Sequence, residues 1–61
     1  MMNVYMIIDT NIGQCIDSMI WDGVSPGNLA YGTIAQLRDG SINIGDTVYL
    51  NGSTWVKFSI I

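Results

Sequence analysis

The acidic and nucleophilic side chains of this sequence are few. The 61 residues include one cysteine, Cys15, and no histidine or glutamate, and the acids are Asp9, Asp17, Asp22, Asp39 and Asp46. Without histidine there is no Ser–His or Cys–His pair to activate a nucleophile. No lysine or arginine lies near Cys15 in the sequence to lower its pKa. We therefore expect Cys15 to be a small buried side chain, and we do not expect an enzyme.

The spacing of Asp9, Asn11 and Gly13 resembles the start of a calcium-binding loop. Such a loop ends in a bidentate glutamate, which this sequence lacks. Most of the aspartates instead adjoin predicted turns, where Asp side chains accept hydrogen bonds from nearby backbone amides. One cysteine can form neither an intrachain disulfide nor a structural zinc site. We predict turn-forming aspartates and no metal or cofactor.

The charge balance bears on the class of partner. The net charge is −3, and the basic residues are only Arg38 and Lys57. Two dispersed bases cannot neutralise a run of phosphates, so we do not expect a nucleic-acid partner. No stretch approaches the ~18 apolar residues of a membrane span, and no secretory signal is evident at the N-terminus. The expectation is one small domain over residues 1–61 with no membrane partner.

The composition suggests a surface that other protein covers. Hydrophobic residues make up 49% of the chain and charged residues 11%, against about 25% charged in ordinary soluble domains. A domain this small has little core, and it has no disulfide or metal to stabilise it. An apolar surface with so few charges favours association with other proteins, with copies of itself, or with both.

Regularly spaced turn residues divide the chain into short β-type segments. The predicted turns are Asn11 to Gly13, Asp22-Gly23, Pro26-Gly27, Asp39-Gly40, Gly45-Asp46 and Asn51-Gly52. The segments between them are rich in β-branched and aromatic residues. We predict five strands, at about 3–9, 14–21, 31–37, 46–51 and 54–60. The expected fold is all-β, a small antiparallel β-meander or a partly open barrel.

Alternation along the strands predicts which side chains share a face. In the second strand we expect the face of Ile16, Ser18 and Ile20 to be the core face, because the other face carries a charge; that other face holds Cys15, Asp17, Met19 and Trp21. In the last hairpin we expect Val48 to share a face with Leu50, Val56 to share a row with Phe58, and Trp55 to share a row with Lys57.

Two tryptophans are candidates for an exposed site. Trp21 and Trp55 fall on the more polar rows of their strands, beside Asp17 and Lys57. An exposed tryptophan can stack on a sugar ring or anchor a protein interface, although packing in the core is an open alternative. The candidate interface residues are Trp21, Asp22, Val24, Pro26, Tyr49 and Trp55.

The order of these features resembles a small β module of tailed bacteriophages. The matching residues are Tyr5, Ile8, Asp9, Ile20, Trp21, Asp22, Gly23, Pro26, Gly45, Tyr49, Asn51, Gly52 and Phe58. Such modules occur in short virion proteins and in tail-fibre and fibre-assembly proteins. The resemblance implies a non-catalytic virion structural protein of the tail or fibre region, made in the host cytoplasm and packed against other virion proteins. A capsid decoration or cement protein is the alternative within this class.

The C-terminal third is also similar to small chitin-binding modules. Gly45, Asp46, Val48, Gly52 and Trp55 match the strand pair that frames their sugar-binding face. This resemblance implies a carbohydrate-binding module for host-surface recognition, with Trp55 and Tyr49 as the platform for a glycan. The same stretch would also suit an SH3-like barrel.

Overall fold

The computed structural model describes residues 2–38 and 40–59, which form an all-β fold of five antiparallel strands. The strands are β1 (Asn3–Asp9), β2 (Gln14–Trp21), β3 (Thr33–Leu37), β4 (Val48–Asn51) and β5 (Thr54–Lys57). One sheet has the order β2-β1-β3 and the other pairs β4 with β5. The predicted fold class is confirmed, and the described strands do not close into a barrel. No helix capable of spanning a membrane occurs among the described residues.

The predicted bounds of β1 and β2 are confirmed, whereas the other three strands are shorter than predicted. Strand β3 begins two residues late, because Tyr31 and Gly32 form a turn in which the Thr33 amide donates to the Ala30 carbonyl (3.1 Å). Strand β4 is preceded only by an isolated bridge, between Thr47 and Gln14. Strand β5 ends at Lys57.

The turn of the last hairpin lies one residue beyond the predicted position. Asn51 pairs with Thr54, so the two-residue turn is Gly52–Ser53 rather than Asn51-Gly52. Gly52 has a φ of 68°, a conformation that favours glycine at the first central position of a tight hairpin turn. Of the other predicted features, Asp39 of the Asp39-Gly40 turn and Ile60 of the last predicted strand lie outside the described residues.

A β-bulge in β2 overturns the predicted core face. Ile7 lies opposite Asp17, but the next residue, Ile8, lies opposite Cys15, so Ile16 is an extra residue in the strand. One extra residue interrupts the alternation of side chains, so the residues before the bulge point to the face opposite to the one that an uninterrupted strand predicts. Cys15 therefore shares the face of Ile8 and is fully buried, while Ile16 is 43% exposed.

The part of β2 beyond the bulge keeps its predicted face but is mostly exposed. Ser18 and Ile20 lie opposite Met6 and Val4, on the face that the second sheet approaches. However, that sheet covers only the Cys15 end of β2, and Ile20 remains 68% exposed. The predicted core face is therefore wrong for Ile16, whereas Ser18 and Ile20 share the face of the core residue Met6 without being buried.

The core lies between the two sheets. Its buried members are Met6, Ile8, Cys15, Ile42 and Val48, with Ile34 and Trp55 packed against them. The row of Trp55 thus faces the core, so of the two alternatives for Trp55 the structure has core packing rather than an exposed site. Lys57 on the same row is exposed and lies 3.6 Å from an Asp46 carboxylate oxygen, as expected at the edge of such a core.

Hydrogen bonds fix the second sheet to the first. The Gln36 amide nitrogen donates to the Trp55 carbonyl (2.7 Å), and the Trp55 backbone amide donates to the Gln36 amide oxygen (2.8 Å). The side chain of Gln36 thereby pairs with the edge of β5 as a backbone would. At the other end, the Cys15 amide donates to the Asp46 carbonyl (2.9 Å) and the Val48 amide to the Gly13 carbonyl (2.8 Å).

Replacing Gln36 should loosen the contact between the sheets. Gln36→Ala removes both bonds and leaves two part-buried backbone groups of Trp55 unpaired, so we expect a loss of about 2 kcal/mol in the free energy of unfolding. Gln14→Ala is the matched control, since Gln14 donates a single exposed bond to the Gly45 carbonyl, and it should cost about 0.5 kcal/mol. Urea denaturation followed by tryptophan fluorescence measures both. Equal losses would contradict this role for Gln36.

Candidate interaction surface

Trp21 fastens the loop that follows β2 onto the sheet. It is half-buried, its indole nitrogen donates to the Ser25 carbonyl (2.9 Å), and its ring meets Tyr5 edge to face at a centroid distance of 5.0 Å. A tryptophan held on both its polar and apolar sides is well ordered. Trp21 thus has a role within its own chain, which is to position residues 22–27.

Asp22 organises the same loop. Its carboxylate accepts hydrogen bonds from the Ser25 hydroxyl (2.6 Å) and from the backbone amides of Ser25 (2.8 Å) and Val24 (2.9 Å). The Ser25 hydroxyl, followed by the two amides, lowers the pKa of Asp22 from 3.8 to about 2, because each donor favours the charged carboxylate. Asp22 is therefore ionised at neutral pH and keeps the loop in one conformation.

The anchored loop presents apolar side chains to solvent. Val24 at its tip is 88% exposed, and Pro26 is exposed beside it. Gly23 is required between them and the strand, since its φ is 82° and a Cβ there would lie 2.6 Å from the Tyr5 hydroxyl. Four of the candidate residues, Trp21, Asp22, Val24 and Pro26, thus belong to one short ordered segment.

The other two candidates lie on opposite faces of the second hairpin. Trp55 is opposite Leu50, whereas Tyr49 is opposite Val56. Trp55 faces the core, and Tyr49 is 47% exposed and packs edge to face on Phe58 with centroids 6.2 Å apart. The predicted glycan platform of Trp55 with Tyr49 is therefore not formed. The exposed aromatic pair is Tyr49 with Phe58.

Sequence reasoning missed much of the exposed apolar surface. These side chains stand on strands and connections throughout the fold, and those outside the candidate set include Met2, Ile12, Ile16, Ile20, Tyr31, Leu37, Ile44, Leu50 and Phe58. The low charge of the chain indicated that such a surface exists. It could not locate this surface, because the bulge and the irregular segments decide which residues point outward.

The aspartates of the described residues hold backbone amides. Asp9 accepts from the Asn11 amide (2.9 Å), Asp17 from the Ser18 amide (2.8 Å) and Asp46 from the Asn43 amide (2.8 Å). The turn interpretation of Asp9 to Gly13 is confirmed. Asp39 lies outside the described residues, and within residues 2–38 and 40–59 no three acidic or thiol side chains group as metal ligands would.

Cys15 is buried, and burial raises the pKa of its thiol. The thiol donates a weak hydrogen bond to the Asp17 carbonyl (3.6 Å). A buried thiol held in its neutral form packs as a small apolar side chain and is a poor nucleophile.

A scan against models of known protein families, a search of curated proteins and a search of solved structures each find no match to this chain.

The Asp22 carboxylate should control the order of the loop at low pH. Because its folded-state pKa is lowered, its contribution is present above its ordinary value of 3.8 and is lost as the pH falls toward about 2. We expect the NMR signal of the Trp21 indole proton to keep its position from neutral pH to about pH 4 and to shift only as the Asp22 carboxyl signal titrates near 2.

Ser25→Ala is the control for this titration. It removes the strongest donor to Asp22, so the carboxyl should titrate closer to its ordinary value and the indole signal should move at a higher pH. An unchanged Asp22 titration in this variant would contradict the role assigned to the Ser25 hydroxyl.

Proposed function

We propose that this chain is a non-catalytic structural subunit of a bacteriophage particle, located in the tail or fibre region and packed against neighbouring virion proteins. The observation that carries the proposal is the small core beneath a largely apolar surface. Among residues 2–38 and 40–59, six hydrophobic residues are buried, while thirteen large hydrophobic side chains, among them Val24, Ile20 and Leu50, are exposed. Such a surface favours burial against other protein.

The loop after β2 supports an assembly role. Asp22 and Trp21 hold it in one conformation through hydrogen bonds to Ser25, so Val24 and Pro26 are presented without further ordering. Preordered contacts lose less conformational entropy on binding than flexible ones. This arrangement suits an apolar tip that inserts into a neighbouring subunit.

The chemistry available also favours a structural role. The described aspartates are engaged by backbone amides, and Cys15 is buried with a raised pKa. The bacteriophage part of the proposal is supported by the resemblance in turn and aromatic pattern, centred on the Trp21-Asp22-Gly23 segment and the Tyr49 strand.

The proposal is tested on particles of the phage that encodes the chain. Quantitative mass spectrometry of purified particles should find it at a fixed copy number, and chemical cross-linking should join it to tail or fibre proteins. Cross-links to the major capsid protein alone would identify a decoration subunit instead. Absence of the chain from purified particles would refute a virion role.

The Val24 tip should matter for incorporation and not for folding. Val24→Asp replaces a solvent-exposed side chain, so the midpoint of thermal unfolding should stay within a few degrees of the wild-type value. A carboxylate placed in an apolar contact is costly, so we expect the copy number in particles to fall at least tenfold. Ile12→Asp, on the exposed turn between β1 and β2, is the matched control and should be incorporated normally. Equal incorporation of the two variants would show that Val24 does not lie in the contact.

A second candidate function rests on the Tyr49–Phe58 pair. The two exposed rings, with Lys57 and Ser59, line a shallow depression on the hairpin. Aromatic faces beside polar side chains suit a sugar ring. Titration with soluble chitin oligosaccharides, monitored by chemical shifts of the Tyr49 and Phe58 rings, tests this function. Shifts that are abolished by Phe58→Ala would support it, and unchanged spectra would exclude this glycan.

A further inference from the structure

The outer edge of β2 is a backbone surface whose first part is already paired. The Cys15 amide donates to the Asp46 carbonyl (2.9 Å), and the Cys15 carbonyl accepts from the Gly45 amide (2.8 Å). Beyond the bulge, residues 17–21 continue along the same edge, and no described backbone segment pairs with them there. This edge therefore accepts an extended segment at one end and offers free pairing positions at the other.

The pairing of β1 shows which backbone amides and carbonyls of β2 point outward from the sheet. The Arg38 amide donates to the Val4 carbonyl (3.0 Å), so the backbone of Val4 points toward β3. Backbone groups alternate in direction along an antiparallel strand, so Tyr5 points toward β2 and pairs with Met19. The amides and carbonyls of Ser18 and Ile20 consequently point away from the sheet.

Residues 17–21 of this edge carry one feature that opposes strand pairing, the charged side chain of Asp17, and lack the others. Sheet edges are commonly protected by lysine, proline or a covering segment. Strand β2 contains no basic residue and no proline, and its one charged side chain, Asp17, covers only the Ser18 amide. The opposite edge differs, because β3 has its first amide bonded to Ala30 and is followed directly by Arg38.

We propose that two copies of this chain pair antiparallel through residues 17–21 of β2, about a two-fold axis at Met19. Ser18 of each copy then lies opposite Ile20 of the other. The Ser18 amide exchanges its bond to Asp17 Oδ1 (2.8 Å) for one to the Ile20 carbonyl of the second copy, and the Ile20 amide of that copy donates to the Ser18 carbonyl. Asp17 lies opposite Trp21, so no like charges meet across the axis. The paired length is set by the structure, because Gly45 and Asp46 occupy the edge at Cys15 and the strand ends at Trp21.

The side chains are complementary as well. A depression beside Ser18 is lined by Val4, Met6, Ser18, Arg38, Asn43 and Ile44. Ile20, 68% exposed in the single chain, is brought against the Ser18 side of this depression in the second copy. Each copy thus supplies an exposed apolar side chain and a recess whose apolar part is Val4, Met6 and Ile44. The three-stranded sheets of the two copies join into one sheet of six strands. This inference rests on the proposed assembly function and names a second copy as one partner.

Sedimentation of the full chain tests the pairing. We expect a concentration-dependent dimer and a dissociation constant weakened roughly 100-fold by Ile20→Lys, which loses apolar burial at two symmetric positions and places an ammonium near Arg38. Ile12→Lys changes an isoleucine of similar exposure (62%) and should leave the constant unchanged. Leu37→Lys, on the β3 edge, should also leave it unchanged. Circular dichroism of each variant verifies that the strands remain formed.

A cross-link tests the position of the axis. Met19 of one copy faces Met19 of the other as a non-hydrogen-bonded pair, in which the Cα atoms lie about 4.5 Å apart, within the range of a disulfide. Met19→Cys should give a covalent dimer under mild oxidation, whereas Leu37→Cys should not. Cys15 is buried and does not compete.

The outcomes separate this inference from the proposed function. A wild-type monomer at every concentration, or a dimer broken by Leu37→Lys and not by Ile20→Lys, overturns pairing through β2 even if the chain is found in particles. A dimer with the expected response to Ile20→Lys and Met19→Cys supports the pairing even if particles lack the chain.

Discussion

The β-bulge at Ile16 is the constraint on which the two-sheet arrangement depends. Without the extra residue, Cys15 would lie on the face opposite Ile8, and the centre of the core would lose a fully buried member. The bulge also leaves the backbone of Cys15 pointing outward, where it pairs with Gly45 and Asp46. One inserted residue thereby places a side chain in the core and opens the site at which the second half of the chain attaches. A bulge commonly combines a change of side-chain direction with interrupted pairing in this way.

A core this small cannot by itself fix the position of the second sheet. The buried side chains gather around Ile8, Ile42 and Cys15, and apolar contact is not directional. The position of the second sheet is fixed by the hydrogen bonds at either side of the core, where Gln36 pairs with Trp55 and Gly13 pairs with Val48. Polar groups that are fully paired at the margin of a core specify one arrangement, because any other would leave them unsatisfied.

The sequence predicted the number and order of the strands because turn residues mark their ends. The bounds of β1 and β2 could be read directly from the turn at Asn11 to Gly13 and from Asp22-Gly23. The faces of β2 could not be predicted, since alternation assumes an uninterrupted strand and nothing in the run of Cys15 to Trp21 marks Ile16 as the bulged residue. The position of Trp55 was missed for a different reason. Its neighbour Lys57 suggested an exposed row, whereas a row at the edge of a core can be apolar at one end and charged at the other.

The sequence predicted that an exposed apolar surface exists, but it did not predict which residues form it. Low charge and an apolar surplus indicated exposed hydrophobic surface, but its location depends on the local hydrogen bonds that order irregular segments. Asp22 and Trp21 give the loop after β2 a fixed shape without burying it, so Val24 is held outward instead of collapsing onto the sheet. A chain of this size therefore uses its polar groups to hold apolar groups in solvent. Exposed apolar side chains of this kind add nothing to the stability of an isolated domain, and in the proposed assembly they are the groups that a neighbouring subunit would bury.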